Sequence, residues 1–314
     1  MTLDPQTRAL LDQVEASTLP RMNTVDPPTA RAMFRQSCEL LDARNVPIGR
    51  TEDTSFEGPA GPVPVRIYTP VAAPPGPLPA LVFFHGGGFV IGDLDTHDAP
   101  CRTLANAAQC RVIAVDYRLG PEHPFPAAVE DCLAAVRWVA GHAGDLGVDS
   151  SRIAVGGDSA GGNLSAVVSI LARDAGGPKI AFQLLFYPAT DSTLVTQSKI
   201  DFASGYLLEA DLVAWFWAAY SGGVELDLAD PRLSPARAAS LAGLPPALVL
   251  TAGHDPLRDE GRAFAEALDA AGVRATHIDY PGTIHGCINM AGVLDAGRAM
   301  LADAGAALKE ALWQ

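Results

Sequence analysis

The residues in this chain best equipped for chemistry are Ser159, with its glycine neighbours, and the few histidines and carboxylates that follow it. Gly157-Asp158-Ser159-Ala160-Gly161 fits the pattern GxSxG, which places a serine on a sharp strand-to-helix turn. The flanking glycines have a steric reason. A serine there holds a strained backbone conformation, and strand, turn and helix can close up only if the adjoining positions lack bulk. Its Oγ then stands free above the strand end. The following helix aims its N-terminal amides at the same spot, where negative charge develops during acyl transfer. The surroundings agree, since Ile153, Ala154 and Val155 read as a buried strand and Asn163 to Arg173 as a helix.

A serine hydroxyl is a poor nucleophile until a base takes its proton, and the base must be oriented by a third group. With this kind of elbow the partners follow in the order Ser, acid, His. Three histidines follow Ser159. His254 comes directly after a strand and supports its loop, and His277 lies within a strand. His285, in PGTIHGC, follows a strand with Gly286 behind it, and is taken as the base. For the acid, Asp191 and Asp255 both follow strands, whereas Asp259 lies a helical turn later beside Arg258 and Arg262. Asp255 leaves the next-to-last strand just before a proline that can start a helix, and is taken as the acid.

Acyl transfer also needs donors for the oxyanion. Phe84-His85-Gly86-Gly87-Gly88-Phe89 follows a strand and offers backbone N–H groups clear of side chains, with the Ala160 N–H as a further donor. His85 is expected to pack beneath that loop. A phosphate-binding reading of the three glycines is weak, because no GK[ST] or GxGxxG frame accompanies them. No two of the seven histidines lie at ligand spacing with a cysteine, so neither metal nor cofactor is expected.

These groups require elements to hold them. Residues 5–18 and 27–42 read as helices, and Pro27-Pro28 suits a helix start; both could lie over the mouth of a sheet. Segments 51–56 and 63–68 alternate around Gly58, Pro59, Gly61 and Pro62 as an antiparallel hairpin. Strands at 81–84, 111–116, 182–188, 247–253 and 276–280 then alternate with helices near 98–109, 126–142, 258–271 and 292–312. That rhythm predicts an α/β fold, with a parallel sheet covered on both faces and ligands bound beyond the strands' carboxyl ends. Residues 189–242 interrupt it and carry a predicted helix over 204–220 with Trp215, Phe216, Trp217 and Tyr220, which either pack the core or line a substrate pocket.

Composition sets the outer limits. Apolar residues make up 48% and charged residues 18%, which excludes a disordered chain, and no apolar run approaches the roughly 18 residues of a membrane span. A net charge of −14 disfavours nucleic acid and acidic substrates. The first residues lack the basic and apolar regions of a secretory signal, so a cytoplasmic location is expected. Cys38, Cys101, Cys110, Cys132 and Cys287 are widely scattered and read as buried free thiols.

HGGGF at 85–89, DYRLGPEHPFPAAVED at 116–131, GDSAGGNL at 157–164, DPLRDEG at 255–261 and IHG at 284–286 together resemble the bacterial hormone-sensitive-lipase family of esterases, in the subgroup with GDSAG at its elbow. The resemblance runs over nearly the whole chain. It implies an α/β-hydrolase fold with an eight-stranded, mostly parallel sheet flanked by helices and a helical cap. The corresponding division is cap helices over 1–45, core over 46–188, a cap- and pocket-forming insertion over 189–242, and core again over 243–314. It implies hydrolysis of short to medium acyl esters without metal or cofactor, with Ser159 as nucleophile, Asp255 as acid, His285 as base and oxyanion amides at Gly87, Gly88 and Ala160. Phe89, Trp215 and Cys287 are the expected pocket residues. The chain departs from the family pattern at Gly120, usually alanine, and at Cys287, commonly an aromatic. Glu122 is expected to fix a loop. The expected partner is a small-molecule ester, with a homodimer as the expected assembly. Amidase or lactonase activity on the same machinery is the alternative, and a ligand receptor that has lost the base is disfavoured by retention of His285 and Asp255.

Overall fold

The alternating apolar runs form eight strands in a computed structural model that describes residues 2–314. They are β1 (Arg50–Gly58), β2 (Gly61–Thr69), β3 (Leu78–Phe84), β4 (Arg111–Val115), β5 (Val148–Asp158), β6 (Phe182–Phe186), β7 (Ala247–His254) and β8 (Ala275–Ile284). All belong to one sheet in the order β1-β2-β4-β3-β5-β6-β7-β8. β2 runs antiparallel to both neighbours, and every pair from β4 through β8 is parallel. The hairpin closes at Gly58 opposite Gly61.

The helices are α1 (Pro5–Glu15), α2 (Pro27–Leu41), α3 (Asp98–Ala108), α4 (Ala127–Gly141), α5 (Ala160–Asp174), α6 (Gln197–Asp201), α7 (Ala210–Tyr220), α8 (Arg258–Ala270) and α9 (Asp295–Leu312). Successive residues of a strand face opposite ways. Leu81 and Phe83 of β3 accordingly pack with α3 and α9, while Ala80, Val82 and Phe84 pack with α4 and α5. A smaller cluster joins α5 and α8 through Ala166, Ile170, Phe264 and Leu268. Among the described residues no helix is long and apolar enough to cross a membrane.

α1 and α2 both begin with an aspartate cap followed by proline. Asp4 accepts from the Thr7 N–H at 2.7 Å and Asp26 from the Thr29 N–H at 2.8 Å. The helix expected over 204–220 starts only at Ala210, because Gly205 and Leu207 hold φ of +83° and +70° and cannot continue a right-handed helix. The closing helix likewise begins at Asp295 instead of 292, after a short 3₁₀ turn at Cys287–Met290.

The elbow depends on close approach. Ser159 has φ +56° and ψ −115°, a conformation that side-chain-bearing residues seldom adopt, and its N–H donates to Phe186 O at 2.9 Å. A Cβ at either Gly157 or Gly161 would run into the Phe84 carbonyl oxygen at the end of β3. That carbonyl is backbone and cannot swing aside. Gly161→Ala is therefore expected to cost about 1–3 kcal/mol from overpacking and to lower the thermal midpoint measurably. An unchanged melting curve would mean that β3 and α5 are not in contact through this glycine.

Candidate active site

Every group singled out for acyl transfer lies at the carboxyl end of a parallel strand. Ser159 follows β5, Asp255 follows β7, His285 follows β8, and the glycine loop follows β3. Residues more than a hundred positions apart meet because the parallel register aligns these strand ends. His285 Nε2 lies 2.9 Å from Ser159 Oγ, and His285 Nδ1 lies 2.7 Å from Asp255 Oδ2. Asp255 is fully buried, and its second oxygen accepts from the Leu257 N–H at 2.8 Å. A buried carboxylate with one oxygen held by backbone can accept only the imidazole's Nδ1–H on the other. That leaves Nε2 to take the serine's proton. The His285 side chain is 12% exposed.

The glycine loop turns back on itself through positive φ at Gly87 (+114°), Gly88 (+59°) and Phe89 (+64°). Gly87 O accepts from both Val90 N–H and Ile91 N–H, whereas the N–H groups of Gly87 and Gly88 donate to no acceptor among the described residues. Ala160 is the first residue of α5, where an amide has no intrahelical partner. The loop meets the elbow where the Gly86 N–H donates to Asp158 Oδ1 at 2.8 Å. His85 packs beneath the loop as expected: its ring stacks on Tyr117 at 4.3 Å, and Tyr117 Oη donates to His85 O at 2.6 Å. Burial, with His97 nearby, pushes the His85 imidazole down to about 4, so it is neutral at ordinary pH.

The other residues weighed for the site have structural duties. Asp191 accepts from Thr193 and pairs with Arg237 at 2.8 Å, and Asp259 pairs with Arg258 at 2.9 Å while accepting from Ser198 N–H. His277 Nε2 meets Thr251 Oγ1 at 2.8 Å inside the sheet, and His254 stacks on Tyr206. Glu122 forms a double contact with Arg31 of α2, at 2.6 and 2.9 Å, and the same guanidinium donates to Val90 O and Gly120 O. One arginine thus clamps α2 both to the glycine loop, at Val90, and to the loop after β4, at Gly120 and Glu122. Gly120 answers a further close approach, since a Cβ there would lie 3.0 Å from Ala219 O and Tyr220 Cα at the end of α7.

The three residues expected in the pocket lie in different surroundings. Cys287 is fully buried with Sγ 3.8 Å from Met300 Sδ of α9, because Gly286 at φ +79° turns the chain away from the imidazole. Burial also pushes its thiol up to about 12. Phe89 is 4% exposed and stacks on Tyr220 at 4.2 Å, so its ring anchors the loop in the core. Trp215 is half-buried at the edge of an apolar cluster formed by Ala30, Val90, Ile91, Leu208, Phe216 and Leu257. Within that cluster Phe216 lies directly against Gly88, where a Cβ would collide with its ring, and Ile91 lies against Gly87. Tyr187, just past β6, has φ +32° and brings its ring 4.7 Å from that of His285. Its place at a strand's carboxyl end was the signal that could have marked it.

Residues 81–289 match the family described as alpha/beta hydrolase fold. The carboxylic ester hydrolase LipN of Mycobacterium tuberculosis is 48% identical over 296 residues, covering 92% of this chain and 78% of that protein. The ethyl acetate hydrolase of Pseudomonas putida is 38% identical over 97% of this chain and 98% of its own length. Among solved structures, an ester hydrolase from the metagenome of Lake Arreo, crystallised with a derivative of bipyridine phosphonate, superposes over the full length of both chains with a TM-score of 0.97 at 45% identity. An esterase from Pyrobaculum calidifontis gives 0.93 at 44% identity over 99% of each chain. The chain belongs to the α/β-hydrolase family, in its hormone-sensitive-lipase group of ester hydrolases.

A carboxylate at the end of a neighbouring strand is held against its charge. Asp116, one residue beyond β4, is pushed up from 3.8 to about 6 by burial, with the like charges of Asp93 and Asp95 adding to it. The folded state therefore binds this proton more tightly than the unfolded chain. Asp116 then costs stability above about pH 6, and that cost is relieved as pH falls through 6 towards 4. Asp116→Asn is expected to gain about 1–2 kcal/mol near neutral pH and nothing near pH 4. Thermal midpoints at both pH values check this, and a gain equal at the two would contradict it.

Proposed function

We propose that the protein is a serine carboxylesterase for short to medium acyl esters, working through an acyl-enzyme. The observation that carries this reading is the continuous hydrogen-bonded chain from Ser159 through His285 to Asp255; the amides of Gly87, Gly88 and Ala160, which make no backbone bond, support it as oxyanion donors. Ser159 Oγ attacks the ester carbonyl as His285 Nε2 accepts its proton. Charge forming on the carbonyl oxygen is met by the N–H groups of Gly87, Gly88 and Ala160, which are already in place and need no reorganisation. The imidazolium is steadied by Asp255 and returns its proton to the departing alkoxide. Water, deprotonated by the same imidazole, then attacks the acyl-enzyme and releases the acid. No step calls for a metal or cofactor.

In this reading residues 1–45 and 189–242 form the cap. Arg21 pairs with Glu209 at 2.5 Å and Asn23 donates to Asp211 at 2.8 Å, so the two segments are joined over the mouth. The apolar cluster beneath them supports an uncharged acyl chain as ligand, and Phe216 over Gly88 supports a limit on its length. The buried cysteines fit a reducing compartment, and a cytoplasmic location belongs to the same proposal.

A p-nitrophenyl ester series from acetate to palmitate tests the function. Turnover is expected to peak at short or medium chains and to fall by at least about 1000-fold in Ser159→Ala. A protein whose Ser159→Ala variant keeps its activity is not a serine esterase of this kind. Phe216→Ala is expected to move the optimum towards longer acyl chains by opening space beside Gly88. A chain-length profile identical to that of the native protein would remove Phe216 from the pocket.

A further inference from the structure

One buried chain of side chains links the elbow to the glycine loop, and the mechanism above makes no use of it. Asp158, the residue before Ser159, is 4% exposed and turns its carboxylate to the start of the oxyanion loop, where Oδ1 accepts from the Gly86 N–H at 2.8 Å. The same oxygen lies 3.1 Å from Nε2 of His97, which is 1% exposed. Although burial acts to raise it, His97 holds the Asp158 carboxyl below its usual range, so Asp158 is an acceptor only. Nε2 must then carry the hydrogen, and the 3.4 Å approach of the Gly86 nitrogen to Nε2 is no bond, because both atoms are donors. Gly86 itself has no room for a Cβ against the Asp158 carboxylate.

The other side of His97 is fixed as well. Its Nδ1 lies 3.0 Å from Thr96 Oγ1, and Thr96 O accepts from Asn289 Nδ2 at 2.9 Å, four residues beyond His285. The ring sits among those of Phe34, Phe83 and His85, with centroids 5.6–6.3 Å away. His97 thus touches neither the triad nor the free amides, yet it stands between the segment carrying the base and the loop carrying the oxyanion donors.

We propose that His97 is a positioning residue for ester hydrolysis: by fixing Asp158 it sets the peptide plane at Gly86, and through it the direction of the next two N–H groups, at Gly87 and Gly88. This rests on the serine-esterase reading of the site. The oxyanion is held only in the tetrahedral state, so misdirected donors lower kcat and leave ground-state binding alone.

The test compares native protein, His97→Phe, which keeps a ring but has no donor, and His97→Gln, whose amide nitrogen can occupy the place of Nε2. Each is assayed on p-nitrophenyl butyrate and inhibited by 1,1,1-trifluoro-2-hexanone, which adds Ser159 Oγ to form a tetrahedral oxyanion, and by 2-hexanone, which binds as the ketone. His97→Phe is expected to lower kcat about 10–100-fold with KM within about threefold. Inhibition by the trifluoro ketone should weaken by the same factor as kcat, inhibition by 2-hexanone should not change, and His97→Gln should recover most of the loss. The proposal is overturned if His97→Phe keeps native kcat. It is also overturned if both ketones weaken alike and His97→Gln rescues nothing, the mark of a merely structural role. If His97→Phe does not fold by circular dichroism, His97→Asn, whose shorter amide falls short of Asp158, is read in the same way. Failure of the esterase reading has a different signature: native protein that hydrolyses no ester and does not favour the trifluoro ketone.

Discussion

The contact on which the rest of this structure depends is the one between the Phe84 carbonyl and the two glycines of the elbow. β3 and β5 are neighbours in the sheet, and their carboxyl ends release the glycine loop and the serine respectively. Only if the elbow can press against Phe84 O do the oxyanion amides and Ser159 share one small volume. Bulk at Gly157 or Gly161 would separate them by more than catalysis tolerates, since misplacement of about 1 Å costs on the order of 100-fold. The strained dihedrals of Ser159, Phe89 and Tyr187 surround this contact, and tight packing on all sides is what holds them there.

Around that contact the site is built in layers of differing polarity. Below it Asp158 and the neutral His85 are both buried, Asp158 accepting from the Gly86 N–H and His85 meeting Gly86 O through Nδ1. Above it the cluster centred on Phe216 is apolar. In the proposed mechanism, charge developing on a bound carbonyl would lie between fixed backbone dipoles and this apolar layer, where electrostatic stabilisation is strong. Arg31 spans the two layers by binding Glu122 together with the carbonyls of Val90 and Gly120.

Much of this was legible in the sequence because the residues concerned are punctuated by glycine and proline at strand ends. Ser159, His285 and Asp255 each stand at such a break, and the order of nucleophile, acid and base left few candidates. The pocket was less legible. Trp215 and Phe216 differ by one position, which on a helix is about 100° of rotation. Which of them faces the site depends on where α7 sits, and the apolar character of 204–209 disguised the left-handed turns at Gly205 and Leu207 that delay its start. Cys287 stands two residues after His285, but nearness in sequence says little once a glycine at positive φ intervenes. The role of His97 was hidden for another reason: its partner lies 61 residues away, and only the parallel register brings the two together.

Ser159, Asp255 and His285 are distributed unevenly across the sheet. Ser159 belongs to the interior strand β5, while His285 hangs from β8, which has a neighbour on one side alone. Edge strands open at lower free energy than the strands they cover. Fraying of this margin withdraws the base while the nucleophile and its oxyanion donors stay assembled. Were that margin to open alone, the molecule left would be a folded protein with an intact but silent serine.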